Sequence, residues 1–170
     1  MTSYREPARL SPDHEVSGFR CGRQPLDDWL KRYSLINQHA GMTTTFVTTV
    51  DDSDEVVGFY SLATGGVDHQ DAPARMTKGV PRHPIPVIVL ARLAVHEDHQ
   101  GRKLGRGLLR DALVRVSNAA DEIGVKALLI HAKDDEARDF YLAQAEFEPS
   151  PIDPLQLFLL LKDLHKSVNQ

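Results

Sequence analysis

The chain has 170 residues, of which 41% are hydrophobic and 26% are charged, a composition typical of one globular domain. No stretch approaches the roughly 20 apolar residues that cross a bilayer, and the first ten residues lack the apolar core of a secretory signal, so we expect a cytoplasmic protein without a membrane partner. Cys21 is the only cysteine, which excludes an intrachain disulfide and favours a packing role for this side chain.

The net charge of −4 conceals a basic central segment. Between Arg75 and Arg115 there are nine Lys or Arg and three Asp or Glu, a balance of +6, which leaves −10 for the rest of the chain. Such a segment predicts an anionic partner, although charge alone is equally compatible with a solvated basic surface.

The first third of the chain predicts a helix followed by a hairpin. Pro25 suits a first helical turn, and one apolar face follows at three- and four-residue spacing, made of Leu26, Trp29, Leu30, Tyr33 and Ile36. The β-branched runs Thr45–Val50 and Val56–Ala63 predict an antiparallel hairpin. Four prolines and three glycines in Thr64–Pro86 indicate a loop-rich segment with room for short helical turns.

The remaining elements alternate between strands and helices. Val87–Val95 is an apolar run interrupted by Arg92 and predicts a strand buried on both faces. The expected elements after it are a helix over Leu104–Ile123 ended by Gly124, a strand over Val125–His131, a helix capped by Asp134 or Asp135 and running through Ala143, a strand over Leu155–Leu161, and a polar tail from about residue 163. This order predicts an α/β (α+β) fold with a mixed sheet in a single domain over residues 1–170.

A glycine-containing turn lies between the Val87–Val95 strand and the long helix. Backbone N–H groups of such a turn, together with the first unpaired N–H groups of the helix, form an anion site, and Arg102, Lys103 and Arg106 add positive charge. Gly-Lys-Ser/Thr and the three-glycine dinucleotide fingerprint are both absent. On physical grounds alone the turn is either a phosphate site or an ordinary helix start.

The stretch Gln100-Gly-Arg-Lys-Leu-Gly-Arg106 resembles the Gln/Arg-x-x-Gly-x-Gly/Ala pyrophosphate loop of the GNAT acetyltransferase superfamily. The resemblance implies acetyl-CoA as cosubstrate, pantetheine along the preceding strand, and a backbone N–H of Val95 that polarises the thioester carbonyl. The implied cofactor residues are Leu93, Ala94, Val95, Gln100, Gly101, Arg102, Lys103, Leu104, Gly105 and Arg106. Lys103 replaces the first motif glycine, so we expect ordinary backbone angles there and a side chain that points outward.

A second motif follows one strand and one helix later. Ala137-Arg-Asp-Phe-Tyr141, with Phe147, resembles the family's Ala-x-x-Phe-Tyr-x-x-x-Gly-Phe signature, although Ala145-Glu146 replaces the glycine. The resemblance implies that Tyr141 protonates the departing thiolate and that Phe140 lies at the cofactor. An aromatic residue packed on a helix face is the structural alternative. The two motifs imply a GNAT fold, with a central, mostly antiparallel sheet flanked by helices.

Most of the chain is similar to the GNAT toxins of bacterial toxin–antitoxin pairs. The similarity is carried by Phe19-x-Cys-Gly-x-x-x-Leu26-Asp-x-Trp-Leu30, Val57-Gly-Phe-Tyr-Ser-Leu-Ala63 and Leu90-Ala-Arg-Leu-Ala-Val95. It implies transfer of acetyl to the α-amine of aminoacyl-tRNA, which blocks translation. It also implies a homodimer and neutralisation by a ribbon-helix-helix antitoxin.

Several side chains remain to be assigned around this chemistry. An α-amine has a pKa near 8, so an acid for the thiolate is needed more than a strong base. Candidate contacts with tRNA are Arg75, Lys78, Arg82 and Arg92, of which Arg92 has a structural ion pair as its default interpretation. The histidines lack the spacing of metal ligands, and we expect no metal.

Two other functions stay open: acetylation of a small amine or a protein N-terminus, and a non-catalytic coenzyme-A-binding partner or repressor component.

Overall fold

The structure, a computed structural model, describes residues 2–169. Within this range the chain forms six α-helices and seven β-strands. The helices are α1 (Gln24–Arg32), α2 (Ser34–His39), α3 (Ala74–Thr77), α4 (Leu104–Ala120), α5 (Asp135–Gln144) and α6 (Leu161–Val168). The strands are β1 (Ala8–Arg9), β2 (Thr44–Thr49), β3 (Val56–Val67), β4 (Ile85–Val95), β5 (Ala127–His131), β6 (Glu148–Pro149) and β7 (Gln156–Leu160).

The seven strands described here form one sheet in the order β1-β2-β3-β4-β5-β7-β6. Strands β4 and β5 are parallel, whereas β1–β2, β2–β3, β5–β7 and β6–β7 are antiparallel. This arrangement confirms the predicted α/β class with a mixed, mostly antiparallel sheet. No helix within residues 2–169 is long and apolar enough to cross a membrane.

The chain packs into two compact units. One contains the residues up to Ala63 together with Ala91–Asp111, and the other contains Thr64–Leu90 and the residues from Ala112 onwards. Strands β3 and β4 and helix α4 each continue from one unit into the other, so the single domain over residues 1–170 stays a prediction.

The first unit is built around an apolar cluster beneath α1. Its fully buried members include Phe19, Leu30, Val47 and Phe59, with Trp29 packed against them. The predicted single helix is wrong beyond Arg32, because Tyr33 leaves the helical conformation (φ −120°, ψ −20°) and α2 starts a new turn. Tyr33 and Ile36 are consequently exposed.

The predicted hairpin is confirmed, with Thr45 opposite Ser61 and Val47 opposite Phe59. Its second strand runs to Val67 rather than ending at Ala63. Burial of Val67 against Met76 and Ile85 in the second unit's core gives the added residues of β3 an apolar anchor.

Strand β4 differs from the prediction in its second half. Val87, Ile88 and Leu90 are buried, but Ala91 is exposed and Arg92 is only half-buried. The parallel partner β5 pairs with β4 only over Val87–Leu90. The residues of β4 that we expect to contact pantetheine, Leu93–Val95, therefore lie beyond the part of the strand that pairs with β5.

The C-terminal half of the second unit corrects three boundaries. Helix α4 ends at Ala120, and the predicted core residue Ile123 is exposed. Strand β5 starts at Ala127, not at residue 125. The predicted polar tail is wrong, since α6 forms there and buries Leu164 completely; its apolar residues recur at helical spacing.

Candidate active site

The turn before α4 has two residues in the left-handed backbone region, Gly101 (φ +77°) and Lys103 (φ +63°). Left-handed residues that alternate with ordinary ones turn successive N–H groups towards one concave side, which is an anion-binding nest. The N-terminus of α4 begins at Leu104 and adds its own unpaired N–H groups. Together they form an anion cradle over residues 101–105.

Lys103 does not have the ordinary backbone angles that we expected, although its side chain is exposed as predicted. The cradle requires a left-handed residue at the position where the resembled Gln/Arg-x-x-Gly-x-Gly/Ala motif has its first glycine, and lysine adopts that conformation at a cost of about 1–2 kcal/mol. The geometry of the loop is thus kept despite the substitution. Its ammonium group adds a positive charge beside the exposed Arg102 and Arg106.

The side-chain amide of Gln100 forms hydrogen bonds within the protein. Its Nε2 donates to the carbonyl oxygens of Cys21 and Val95, each at 3.0 Å. Both amide hydrogens are therefore used to hold the end of β4 against the segment that precedes α1. The side chain therefore fixes the start of the cradle.

Arg102 is joined to the N-terminal segment. Its Nη1 donates to Thr2 Oγ1 at 3.1 Å and to the Tyr4 hydroxyl at 3.4 Å, and a 2.8 Å hydrogen bond links that hydroxyl to His99 Nδ1. Burial, followed by the positive charge of Arg102, lowers the pKa of His99. The positive charge at this turn is therefore supplied by arginine and lysine, with His99 neutral at pH 7.

The strand residues expected to hold pantetheine differ in burial. Ala94 belongs to the apolar cluster of the first unit, whereas Leu93 and Val95 are half-buried. The Val95 carbonyl is occupied by Gln100. Since β4 has no β5 partner beyond Leu90, an extended ligand chain can pair with the strand here.

Tyr141 lies on α5, whose first turn is capped by the Asp134 carboxylate accepting from Ala137 N at 2.8 Å. The side chain is 9% exposed, and its ring contacts those of Phe140 and Phe147, with centroids 5.3 and 6.2 Å away. Burial raises the pKa of Tyr141 to about 12. The phenol therefore keeps its proton at neutral pH, as a donor to a thiolate must.

Two of the predicted tRNA contacts have partners inside the protein. Arg75 forms ion pairs with Glu148 and with Asp163, the latter at 3.0 Å, so its charge is compensated locally. Arg92 makes no ion pair within residues 2–169; its guanidinium carbon lies instead 3.9 Å from the centroid of the Trp29 ring. The ion pair expected for Arg92 is therefore wrong, and a cation–π contact replaces it.

Lys78 and Arg82 are exposed between α3 and β4, where a phosphate can reach them.

Cys21 is half-buried, and burial together with Asp27 raises the pKa of its thiol to about 11, which disfavours a nucleophilic thiolate. No cluster of three or more potential metal ligands occurs in the part of the chain that the structure describes.

Sequence reasoning missed the tie from Arg102 to Thr2 and Tyr4 and the internal role of Gln100. It also placed Trp29 in the core without linking it to Arg92. Apart from the bond of Gln100 to Val95, five residues away, these contacts have no local signal, because the partners are between 63 and 100 residues apart in the sequence.

Comparison with known proteins agrees with this geometry. The family model described as acetyltransferase (GNAT) domain matches residues 43–148. The tRNA-acetylating toxin of Mycobacterium tuberculosis is 50% identical over 163 residues, which cover 96% of both chains. Two solved structures share the fold. The toxin AtaT complexed with acetyl-methionyl-tRNAfMet has a TM-score of 0.85, 22% identity and 98% coverage of both chains.

The second is a tyrosine-to-phenylalanine mutant of AtaT bound to the C-terminus of the antitoxin AtaR and acetyl-CoA. It has a TM-score of 0.79 and 21% identity, and the alignment covers 100% of this chain and 99% of that one. A family match over more than half of the chain, together with a relative of 50% identity over nearly its full length, settles the assignment. The chain belongs to the GNAT family of acetyltransferases.

Proposed function

We propose that the protein is a toxin that transfers acetyl from acetyl-CoA to the α-amine of aminoacyl-tRNA and thereby blocks translation. The observation that carries this function is the 50% identity to a tRNA-acetylating toxin over 96% of both chains. The anion cradle before α4 and the protonated phenol of Tyr141 support it from the geometry.

In the proposed cofactor site the N–H groups of residues 101–105 bind the pyrophosphate of acetyl-CoA. Arg102, Lys103 and Arg106 add positive charge around it. The pantetheine arm pairs with Leu93, Ala94 and Val95, where β4 continues beyond its partner β5. Phe140, whose ring contacts that of Tyr141, is proposed to contact the cofactor as well.

In the proposed reaction the neutral α-amine attacks the thioester carbonyl, whose oxygen the Val95 N–H polarises. A carbon–nitrogen bond forms and the carbon–sulfur bond breaks. Tyr141 donates its proton to the departing sulfur and recovers one as the nitrogen releases its proton to solvent. An aminoacyl α-amine is neutral to a useful extent at pH 7, which is why a strong base is dispensable.

The proposed partners follow from the same relatives. Structures of similar toxins contain acetylated tRNA and an antitoxin segment, and we propose an antitoxin partner of the ribbon-helix-helix type, a homodimeric state and a cytoplasmic setting for this chain. Of the cations expected at tRNA, Lys78, Arg82 and Arg92 are retained, because Arg75 is already paired with two carboxylates.

The test is acetyl transfer from labelled acetyl-CoA to charged tRNA, compared between the wild type and Tyr141→Phe. Loss of the proton donor is expected to lower kcat by about 10²–10⁴-fold while the protein still binds acetyl-CoA. Label that appears only on small amines or proteins would overturn the tRNA acceptor. Growth arrest by the Tyr141→Phe variant equal to that of the wild type would favour the non-catalytic function.

A further inference from the structure

Strands β2 and β3 carry three buried hydroxyl groups without hydrogen-bond partners among the described residues, on Thr45, Thr49 and Ser61. Thr45 and Ser61 are directly opposite each other in the register, and both side chains have 0% exposure. Neither hydroxyl has a partner within residues 2–169. Buried polar groups are nearly always hydrogen-bonded, so two neighbouring exceptions indicate a place that a ligand completes.

Arg92 extends this pair into a row across three strands. His96 N donates to the Val57 carbonyl at 2.8 Å, and Phe59 on β3 shares an apolar cluster with Ala94 on β4. Both contacts fit neighbouring strands that run in opposite directions, with Val57 opposite His96 and Phe59 opposite Ala94. Four residues onward from Val57 and four back from His96 then place Ser61 beside Arg92, with both side chains on one face of the sheet.

The N–H groups of the Arg92 guanidinium have no acceptor among the described residues. The guanidinium lies over the Trp29 ring at 3.9 Å, and Trp29 stacks in turn on Phe59 with an interplanar angle of 11°. Burial lowers the pKa of Arg92, and no carboxylate pairs with it among the described residues. Apolar rings hold the cation in place while its N–H groups stay available to an acceptor atom.

We infer that the row Thr45–Ser61–Arg92, with Trp29 beside it, binds the ester carbonyl oxygen next to the acceptor amine. This inference rests on the proposed function, since it assigns the aminoacyl end of the tRNA to a place on the protein. Arg92 directly precedes Leu93–Val95, the residues proposed to hold the pantetheine arm. An acceptor carbonyl bound at Arg92 therefore brings its amine close to the thioester.

The chemistry of the row matches that group. Guanidinium and hydroxyl donors both suit a carbonyl oxygen. A fixed cation also repels an ammonium ion and favours the neutral amine that attacks the thioester.

The first experiment uses Ser61→Ala and Thr45→Val. Each removes an unpartnered buried hydroxyl, so the thermal midpoint is expected to stay equal or rise. The KM for charged tRNA should nevertheless rise by about three- to tenfold, the equivalent of one hydrogen bond, with the KM for acetyl-CoA unchanged. Thr49→Val is the matched control, because Thr49 is also buried and unpartnered but lies opposite Val56, outside the row.

The second experiment separates the aminoacyl end from the tRNA body. Arg92→Met is expected to raise the KM for charged tRNA about tenfold or more, as for a hydrogen bond from a charged group. Inhibition by uncharged tRNA, which lacks the aminoacyl carbonyl, should be unchanged. An equal loss of uncharged-tRNA inhibition would overturn the inference and assign Arg92 to a phosphate.

The two hypotheses fail differently. If the wild type does not acetylate charged tRNA, the proposed function fails. If the wild type is active and Ser61→Ala, Thr45→Val and Thr49→Val share its KM for charged tRNA, the function stands and the row is structural only.

Discussion

Lys103 holds a left-handed backbone conformation inside the anion cradle. This conformation costs an L-residue about 1–2 kcal/mol, whereas glycine adopts it freely but loses about 0.5–1 kcal/mol more backbone entropy on folding. We therefore expect Lys103→Gly to raise the free energy of unfolding by about 0.5–1 kcal/mol, measured by urea denaturation. The same change should raise the KM for acetyl-CoA, because a cation beside the proposed pyrophosphate site is lost.

Asp52 provides a control for the backbone effect. It is the other non-glycine residue with positive φ among those described (φ 65°), and it lies in the turn between β2 and β3. Asp52→Gly should stabilise the protein less, because aspartate tolerates the left-handed region better than lysine does, and should leave the KM for acetyl-CoA unchanged. A Lys103→Gly variant less stable than the wild type contradicts the assignment of strain.

Burial of Tyr141 determines the expected pH profile. An acid works only while protonated, and the pKa of Tyr141 is raised to about 12, so its contribution is lost only as pH rises through that value. The neutral, reactive fraction of the amine acceptor is already useful at pH 7 and increases as pH rises through its pKa near 8. The value of kcat/KM for charged tRNA, corrected for ester hydrolysis, should therefore rise from pH 6.5 to 9 and show no descending limb. A fall in this interval would mean that the acid is another group.

Helix α4 lies against β3 at a position that tolerates only glycine. A Cβ on Gly58 would approach Leu108 Cδ1 to 2.9 Å and Thr48 Cγ2 to 3.1 Å. Because Leu108 and Thr48 are both buried, neither can move away freely. Gly58→Ala should destabilise the protein by about 1–3 kcal/mol, as overpacking does, and loosen the helix that begins at the cofactor cradle.

Gly107, on the same helix, is the control. A Cβ there meets no atom within 4 Å, and alanine exceeds glycine in helix propensity by about 1 kcal/mol. Gly107→Ala should accordingly raise the thermal midpoint, whereas Gly58→Ala lowers it. If the thermal midpoints of both variants shift in the same direction, overpacking against β3 is not the cause of the change in Gly58→Ala.

Elements with a strong local pattern could be predicted from the sequence, and the others required tertiary partners. The hairpin is set by β-branched runs around an acidic turn, and α5 by the Asp134 cap. Strands β1 and β6 contain two residues each, too few to have a period. In α6 the buried Leu164 was hidden among charged neighbours.

In the candidate site, too, features with a local sequence motif could be predicted, and features that depend on tertiary contacts could not. Family motifs mark the loop and Tyr141, whose roles stay predictions, but the backbone conformation of Lys103 follows from the shape of the cradle and not from lysine's own preference. Arg75 differs, since its basic side chain predicts a phosphate contact, whereas in the structure its guanidinium forms ion pairs with Glu148 and Asp163. Charge counts along a sequence cannot distinguish a compensated cation from an available one.

The charge distribution of the whole chain leads to a prediction on salt. A net charge of −4 repels tRNA as a whole, so attraction has to come from the basic segment between Arg75 and Arg115. Release of counterions makes such binding fall as salt increases. We expect the KM for charged tRNA to rise steeply with salt concentration and the KM for a small amine ester to change little.

The contribution of single cations can be measured in the same assay. Lys78→Met and Arg82→Met should each reduce the slope of log KM against log salt by about 1, because both side chains are exposed and can each neutralise one phosphate. Lys31→Met, an exposed cation on α1 outside the basic segment, should leave the slope unchanged. If Lys31→Met lowers the slope as much as the other two changes, tRNA is attracted by the general surface. A reduced slope for Lys78→Met and Arg82→Met alone would place the tRNA backbone along the stretch between α3 and β4.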